Sequence, residues 1–129
     1  MLYGLIGEKL GHSYSCEIHE KIADYHYELR EIPREELADF FAKRDFKGIN
    51  VTIPYKEAVM PLLDEISDTA KAVGAVNTVV SRGGRLYGYN TDLAGMTAML
   101  RRAGIDPSGK KALVLGTGGT SKTARAVLK

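Results

Sequence analysis

A single cysteine, Cys16, is all that this 129-residue chain carries. That excludes a disulfide framework and any metal site built on paired cysteines. His12 and His19 have no third ligand at metal-binding spacing, so both read as structural or exposed. No apolar run approaches the about 20 residues needed to cross a bilayer, and the first residues lack a secretory-signal pattern. Charge of one sign is missing too. The 18 basic and 16 acidic side chains leave +2, too little to recommend nucleic acid or an anionic membrane as partner. A composition 44% hydrophobic and 26% charged is that of a soluble globular chain, sized for one domain or one domain plus a piece of another. A cytoplasmic location is the expectation.

What is present centres on Gly48-Ile-Asn-Val-Thr-Ile-Pro-Tyr-Lys56. Ile49, Val51 and Ile53 alternate with Asn50 and Thr52, the period of a half-buried strand. Pro54 cannot donate to a ladder and ends it. The same proline suits the first turn of a helix, which would place Lys56 near the positive end of a helix dipole. That is a poor place for a merely structural lysine and a good one for an acid or base.

Around this stretch the pattern alternates strand and helix. Leu2–Ile6 reads as a first strand. A polar loop follows, then a helix capped by Ser13 or Ser15 with Ile18, Ile22 and Tyr25 inward. Two hydroxyls and free N–H groups at that junction form an anion pocket suited to a carboxylate, or simply a cap. Tyr27–Ile32 is an outer strand, and Pro33 opens a helix to about Arg44 with Leu37, Phe40 and Phe41 as its core stripe. The β-α-β-α-β order implies a parallel sheet. Ser67 caps a helix ending near Gly74. Ala75–Val80 is a strand carrying Asn77 and Thr78, and an amide there needs a fixed partner. Arg82-Gly-Gly-Arg85 turns a hairpin into Leu86–Asn90. Thr91 then caps a helix with Leu93, Met96, Met99 and Leu100 on its apolar side, and Asp92 in its first turn, where the dipole favours a carboxylate. If Asp92 and Lys56 meet, they form a proton-handling pair.

Residues 105–110 compose a linker. Lys111–Leu115 is a further strand, and Gly116-Thr-Gly-Gly-Thr120 turns it into a helix. That arrangement sets a pyrophosphate on amide N–H groups, in a G-x-G-G variant of the dinucleotide fingerprint. A Walker A loop does not fit, because G-K-[ST] is absent.

Taken together, Gly11-His-Ser-Tyr-Ser15, Asn50-Val-Thr-Ile-Pro-Tyr-Lys56, Gly74-Ala-Val-Asn-Thr78, Tyr89-Asn-Thr-Asp92 and Gly116-Thr-Gly-Gly119 resemble the shikimate dehydrogenase family. The resemblance covers the whole chain but only the family's first half. It implies a three-layer α/β/α substrate domain over residues 1–104, with a mostly parallel sheet and one antiparallel hairpin. Residues 105–129 would begin a Rossmann-like domain. It implies Ser13 and Ser15 on the shikimate carboxylate, Thr52, Asn77 and Asp92 on the ring hydroxyls, and Lys56 as acid/base paired with Asp92. NADP would lie on Gly116, Thr117, Gly118, Gly119 and Thr120. The implied reaction is reversible reduction of 3-dehydroshikimate to shikimate, with no nucleic acid or membrane partner and either a monomer or a homodimer. A truncated chain with little dehydrogenase activity of its own is a further expectation. Cys16, Glu20, Tyr89 and Leu93 stand where the family usually has Pro, Asn, Asp and Gly, which bears on helix-start geometry and loop shape. A quinate/shikimate dehydrogenase, a non-catalytic acid-binding module and a two-domain dehydrogenase of another substrate are the alternatives.

Overall fold

The computed structural model describes residues 1–129. In chain order its elements are β1 (Tyr3–Gly7), α1 (Ser15–Ile22), β2 (Glu28–Glu31), α2 (Leu37–Lys43), β3 (Gly48–Val51), β4 (Glu65–Ile66), α3 (Asp68–Val73), β5 (Thr78–Arg82), β6 (Arg85–Tyr89), α4 (Asp92–Arg102) and α5 (Gly119–Val127). The strands form one six-stranded sheet in the order β2-β1-β3-β5-β6-β4. β1 lies parallel to β2 and β3, and β4 parallel to β6, whereas β5 runs antiparallel to both neighbours. The mixed α/β reading therefore holds, with β5 antiparallel to β3 as well as to its hairpin partner.

Alternation along the strands splits the core between two faces. Ile6 joins Ile49, Val51, Val79 and Leu86 in the large cluster, into which α2 sends Leu37 and Phe41. Its neighbour Leu5 points the other way, into a small cluster with Leu10 and Tyr27. From β1 the chain crosses first to β2 on one side, then past β1 to β3 on the other. The connection reverses between β1 and β3, and in open α/β sheets such a reversal opens a crevice at the strands' carboxyl ends.

The local signals are mostly realised. Ser67 caps α3 by accepting from the Ala70 N–H, and positive φ at Gly83 (56°) and Gly84 (76°) makes the hairpin turn. Four expectations need correction. α1 buries none of its residues, and Ile18 and Ile22 are 54% and 72% exposed. Its inward side is taken by Cys16 and by His19, which stacks on Tyr27 at 3.9 Å, so the Ile18/Ile22 stripe faces solvent. Neither serine caps that helix. Ile53 is 71% exposed because β3 ends at Val51. Residues 111–117 form no strand, since no strand of the sheet pairs with them to complete a ladder, and Leu113 and Leu115 are 84% and 86% exposed. Smaller shifts concern α4, where Met99 is outward, and β5, which starts at Thr78 rather than Ala75. No helix is long and apolar enough to cross a membrane.

Asp64 fastens one end of the sheet. Its carboxylate accepts from the Leu86 N–H at 2.7 Å and from both terminal nitrogens of Arg44, at 2.8 and 3.2 Å. The Leu86 hydrogen bond first, and Arg44 second, hold its carboxyl below the usual range. A depressed folded-state value adds stability above the unfolded carboxyl value of about 3.9, and that stability disappears as pH falls through the folded value. Asp64→Asn should therefore melt at a lower temperature than the parent at pH 7, with the gap closing as the pH falls below about 4. Thermal melts across this range check it; a gap independent of pH would contradict the assignment.

Candidate active site

Every element bearing a predicted substrate-site residue reaches the same end of the sheet. β1, β3 and β6 point their carboxyl ends there. β5 runs the opposite way, so its first residue, Thr78, pairs with Asn50 on one side and Tyr89 on the other. The loop after β1 and the first residue of α1 bring Ser13 and Ser15 to this end, β3 and the residue after it bring Asn50 and Thr52, and the start of α4 brings Asp92. They enclose a cleft of about 490 Å³, lined also by Lys56, Asn77, Lys9 and His12.

At its floor the Lys56 Nζ donates to Asp92 Oδ2 at 2.5 Å, with the two side chains 13% and 30% exposed. The other oxygen of Asp92 accepts from Asn77 Nδ2 at 2.9 Å. Asn77 has the fixed partners its position demanded. Its Oδ1 accepts from the Thr91 N–H at 2.9 Å and from the Thr78 hydroxyl at 3.2 Å, while Nδ2 also reaches Thr91 Oγ1 at 2.7 Å. The Thr91 side chain is committed to Asn77, so α4 is capped from one residue earlier, Asn90 Oδ1 accepting from the Leu93 N–H. At the opposite wall the Ser13 hydroxyl donates to Ser15 Oγ at 3.0 Å and accepts from the Ser15 N–H at 3.2 Å. That leaves the Ser15 hydroxyl proton free to meet an acceptor in the cleft.

Lys56 reaches this place by a route other than the expected helix. Residues 53–54 and 56–59 form turns, and the Ile53–Pro54 peptide is cis. The helix-dipole reason for its placement thus falls away. The lysine is held by its neighbours instead: Tyr55 is fully buried with its hydroxyl on Ile32 O at 2.6 Å, and the Lys56 carbonyl accepts from the Val76 N–H at 2.7 Å.

A second cleft of about 380 Å³ lies on the far side of the same lysine. Ile53, Pro54 and Lys56 form one wall, Gly116, Gly118, Gly119 and Thr120 the other. Thr117 is outside it. A Cβ at position 119 would stand 3.2 Å from Lys56 Cβ and Cδ, so glycine there lets the start of α5 close on the lysine stem. Lys56 is the residue common to both clefts. An ammonium–carboxylate pair between two clefts can pass a proton at a ligand hydroxyl, and a hydroxyl pair across the way can hold a carboxylate.

Two residues, one in the cleft and one behind it, carried little sequence signal. Asn50 shares the strand face of Thr52 and stood out only by alternation. Tyr27, whose hydroxyl donates to Asn50 Oδ1 at 2.7 Å, looked like any strand tyrosine.

Comparison with known proteins gives concordant matches. Residues 5–79 match the family model of the shikimate dehydrogenase substrate binding domain. The chain is 48% identical over 99% of its length to a shikimate dehydrogenase (NADP(+)) of Clostridium perfringens, strain SM101, covering 49% of that protein. The crystal structure of shikimate dehydrogenase 1 from Peptoclostridium difficile superposes with a TM-score of 0.95 at 44% identity, covering 98% of this chain and 50% of that one. Shikimate 5-dehydrogenase from Thermus thermophilus, solved in complex with shikimate, gives 0.87 at 38% identity, covering 99% and 52%. The chain spans about half the length of the curated relatives it matches.

Asn77 is a structural as well as a cleft residue. Asn77→Ala strips partners from the Thr91 N–H, the Thr78 hydroxyl and Asp92 together, and should cost about 2–3 kcal/mol of stability. Denaturant unfolding measures this, and a loss under about 0.5 kcal/mol would show that the network relaxes or fills with water.

Proposed function

The chain belongs to the shikimate dehydrogenase substrate-binding domain family, and on that premise we propose that its cleft binds shikimate and 3-dehydroshikimate and interconverts them with NADP. The observation that carries this reading is the Lys56–Asp92 pair standing at the junction of the two clefts.

In this reading the substrate carboxylate lies against Ser13 and Ser15, where one hydroxyl proton is uncommitted. Thr52, Asn77 and Asp92 hydrogen-bond the ring hydroxyls. As the neutral amine Lys56 takes the proton of the reacting hydroxyl during oxidation, and as the ammonium it gives one to the carbonyl oxygen during reduction. Asp92, held by Asn77, keeps the amine aimed at that oxygen. The substrate is thus held at its carboxylate from one wall and at its reacting oxygen by Lys56 from the other, which fixes the ring for transfer.

The second cleft fits the dinucleotide. Gly118 caps α5, and no side chain of Gly116, Gly118 or Gly119 blocks approach to the backbone N–H groups, the surroundings in which a phosphate sits on a helix start. Gly116, Gly118, Gly119 and Thr120 would hold it, with Thr117 outside the cleft. NADP bound there supplies the hydride acceptor for oxidation and the donor for reduction. Residues 105–129 are accordingly read as the beginning of a dinucleotide-binding unit and residues 1–104 as the substrate domain.

Calorimetric titration of the chain with shikimate should show one saturable site, weakened about three- to tenfold by Ser13→Ala or Ser15→Ala. Absence of binding would remove the substrate assignment. The role of Lys56 is tested in a chimera completed with the second half of the Clostridium perfringens relative. There Lys56→Ala should lower kcat about 100-fold or more while KM stays within about threefold. A large rise in KM with kcat preserved would make Lys56 a binding residue instead.

A further inference from the structure

We propose that Tyr27, which stands behind the cleft and not in its wall, is a positioning residue that fixes the amides of Asn50 and Asn77. The directions of the hydrogen bonds carry this. A backbone carbonyl can only accept, so the contact of Asn50 with Asn77 O at 3.4 Å must be made by Nδ2. The same nitrogen meets Thr78 Oγ1 at 3.2 Å. Asn50 Oδ1 therefore faces Tyr27 at 2.7 Å, and the tyrosine hydroxyl has to donate.

The direction continues along the sheet. Thr78 accepts from Asn50, which leaves its own proton for Asn77 Oδ1 at 3.2 Å. The Thr91 N–H, a donor only, aims at that same oxygen at 2.9 Å. Asn77 must then turn Nδ2 to Asp92. Tyr27, Asn50, Thr78 and Asn77 thus donate in series toward the carboxylate that holds Lys56, each bond polarising the next.

Tyr27 is built to serve as a fixed donor at the head of this series. It is 3% exposed, its ring is stacked on His19 at 3.9 Å and packed edge-on against Tyr25. Burial, with Tyr25 and Cys16 nearby, pushes its hydroxyl upward from the ordinary tyrosine value, which keeps the proton in place. Asn50 and Thr78 are register partners across β3 and β5, so the sheet itself spaces the middle of the series.

The inference rests on the shikimate reading only for its binding arm. The chain contains three asparagines, Asn50, Asn77 and Asn90, and no glutamine, so its side-chain amide spectrum holds three NH₂ pairs. In the ligand-free 15N-labelled chain, Tyr27→Phe should shift or broaden the pairs of Asn50 and Asn77. The pair of Asn90, which donates to Ala75 O, should stay in place and report an intact fold. Thr78→Val, which cuts the series in its middle, should move the same two pairs. In shikimate titrations Tyr27→Phe should weaken binding about three- to tenfold, and the double variant with Asn50→Ala should bind no more weakly than Asn50→Ala alone. Unmoved Asn50 and Asn77 signals in Tyr27→Phe, or additive losses in the cycle, would overturn the assignment. If the parent chain fails to bind shikimate, the functional reading falls and the amide spectra still decide the role of Tyr27.

Discussion

The carboxylate of Asp92 is shared between two partners, one oxygen to each: Oδ2 to the Lys56 ammonium and Oδ1 to the Asn77 amide. Three chain segments far apart in sequence have to end at the same point for this to happen. The sheet arranges it by reversing β5, which places the start of that strand beside the ends of β3 and β6. A pair as enclosed as Lys56 and Asp92 adds little to folding, since desolvation offsets much of the Coulomb attraction. Its upkeep instead draws on hydrogen bonds that the surrounding backbone and side chains supply.

Lys56 illustrates how a flexible side chain is given a fixed origin without a helix. On one side of it Tyr55 is sunk in the main core; three residues on, Val59 is too. Its carbonyl is tied to Val76, one residue before Asn77. The backbone is thus pinned, and only the four-carbon stem remains to be directed. Asp92 holds its tip, and Gly119 bounds its flank. Side-chain entropy that an exposed lysine would keep is largely spent in the fold, before any ligand arrives.

Much of this was legible in the residue pattern, and the failures have physical reasons. Ser67 and Gly74 marked α3 by chemistry that acts within one turn, and the hairpin glycines marked β5 and β6 in the same way. Asn77 was legible because a buried amide demands partners. Pro54 misled, because proline satisfies both a helix start and a tight turn, and only the burial of Tyr55 decides between them. Ile18 and Ile22 misled because apolar spacing names a helix face without naming what covers it. Lys111–Leu115 has strand character in composition, yet a strand is a pairwise object and those residues have no neighbouring strand. Tyr27 and Asn50 were the hardest to see, because their meaning lies in the direction of hydrogen bonds between strands.

The glycine turn at 116–119 gains its meaning from the lysine rather than from its own spacing. G-x-G-G alone fits many plain turns. Here the third glycine lies where any side chain would press on the Lys56 stem at 3.2 Å. A substituent at 119 would therefore crowd the amine as well as the backbone N–H groups at the head of α5. Two demands, the close approach of an anion that the proposed dinucleotide reading asks of this helix start and the close approach of the helix to Lys56, fall on the same missing Cβ. A turn that served only to reverse the chain would face neither. The coincidence binds the two clefts into one site, since the residue that opens the second also sets the room available to the amine of the first.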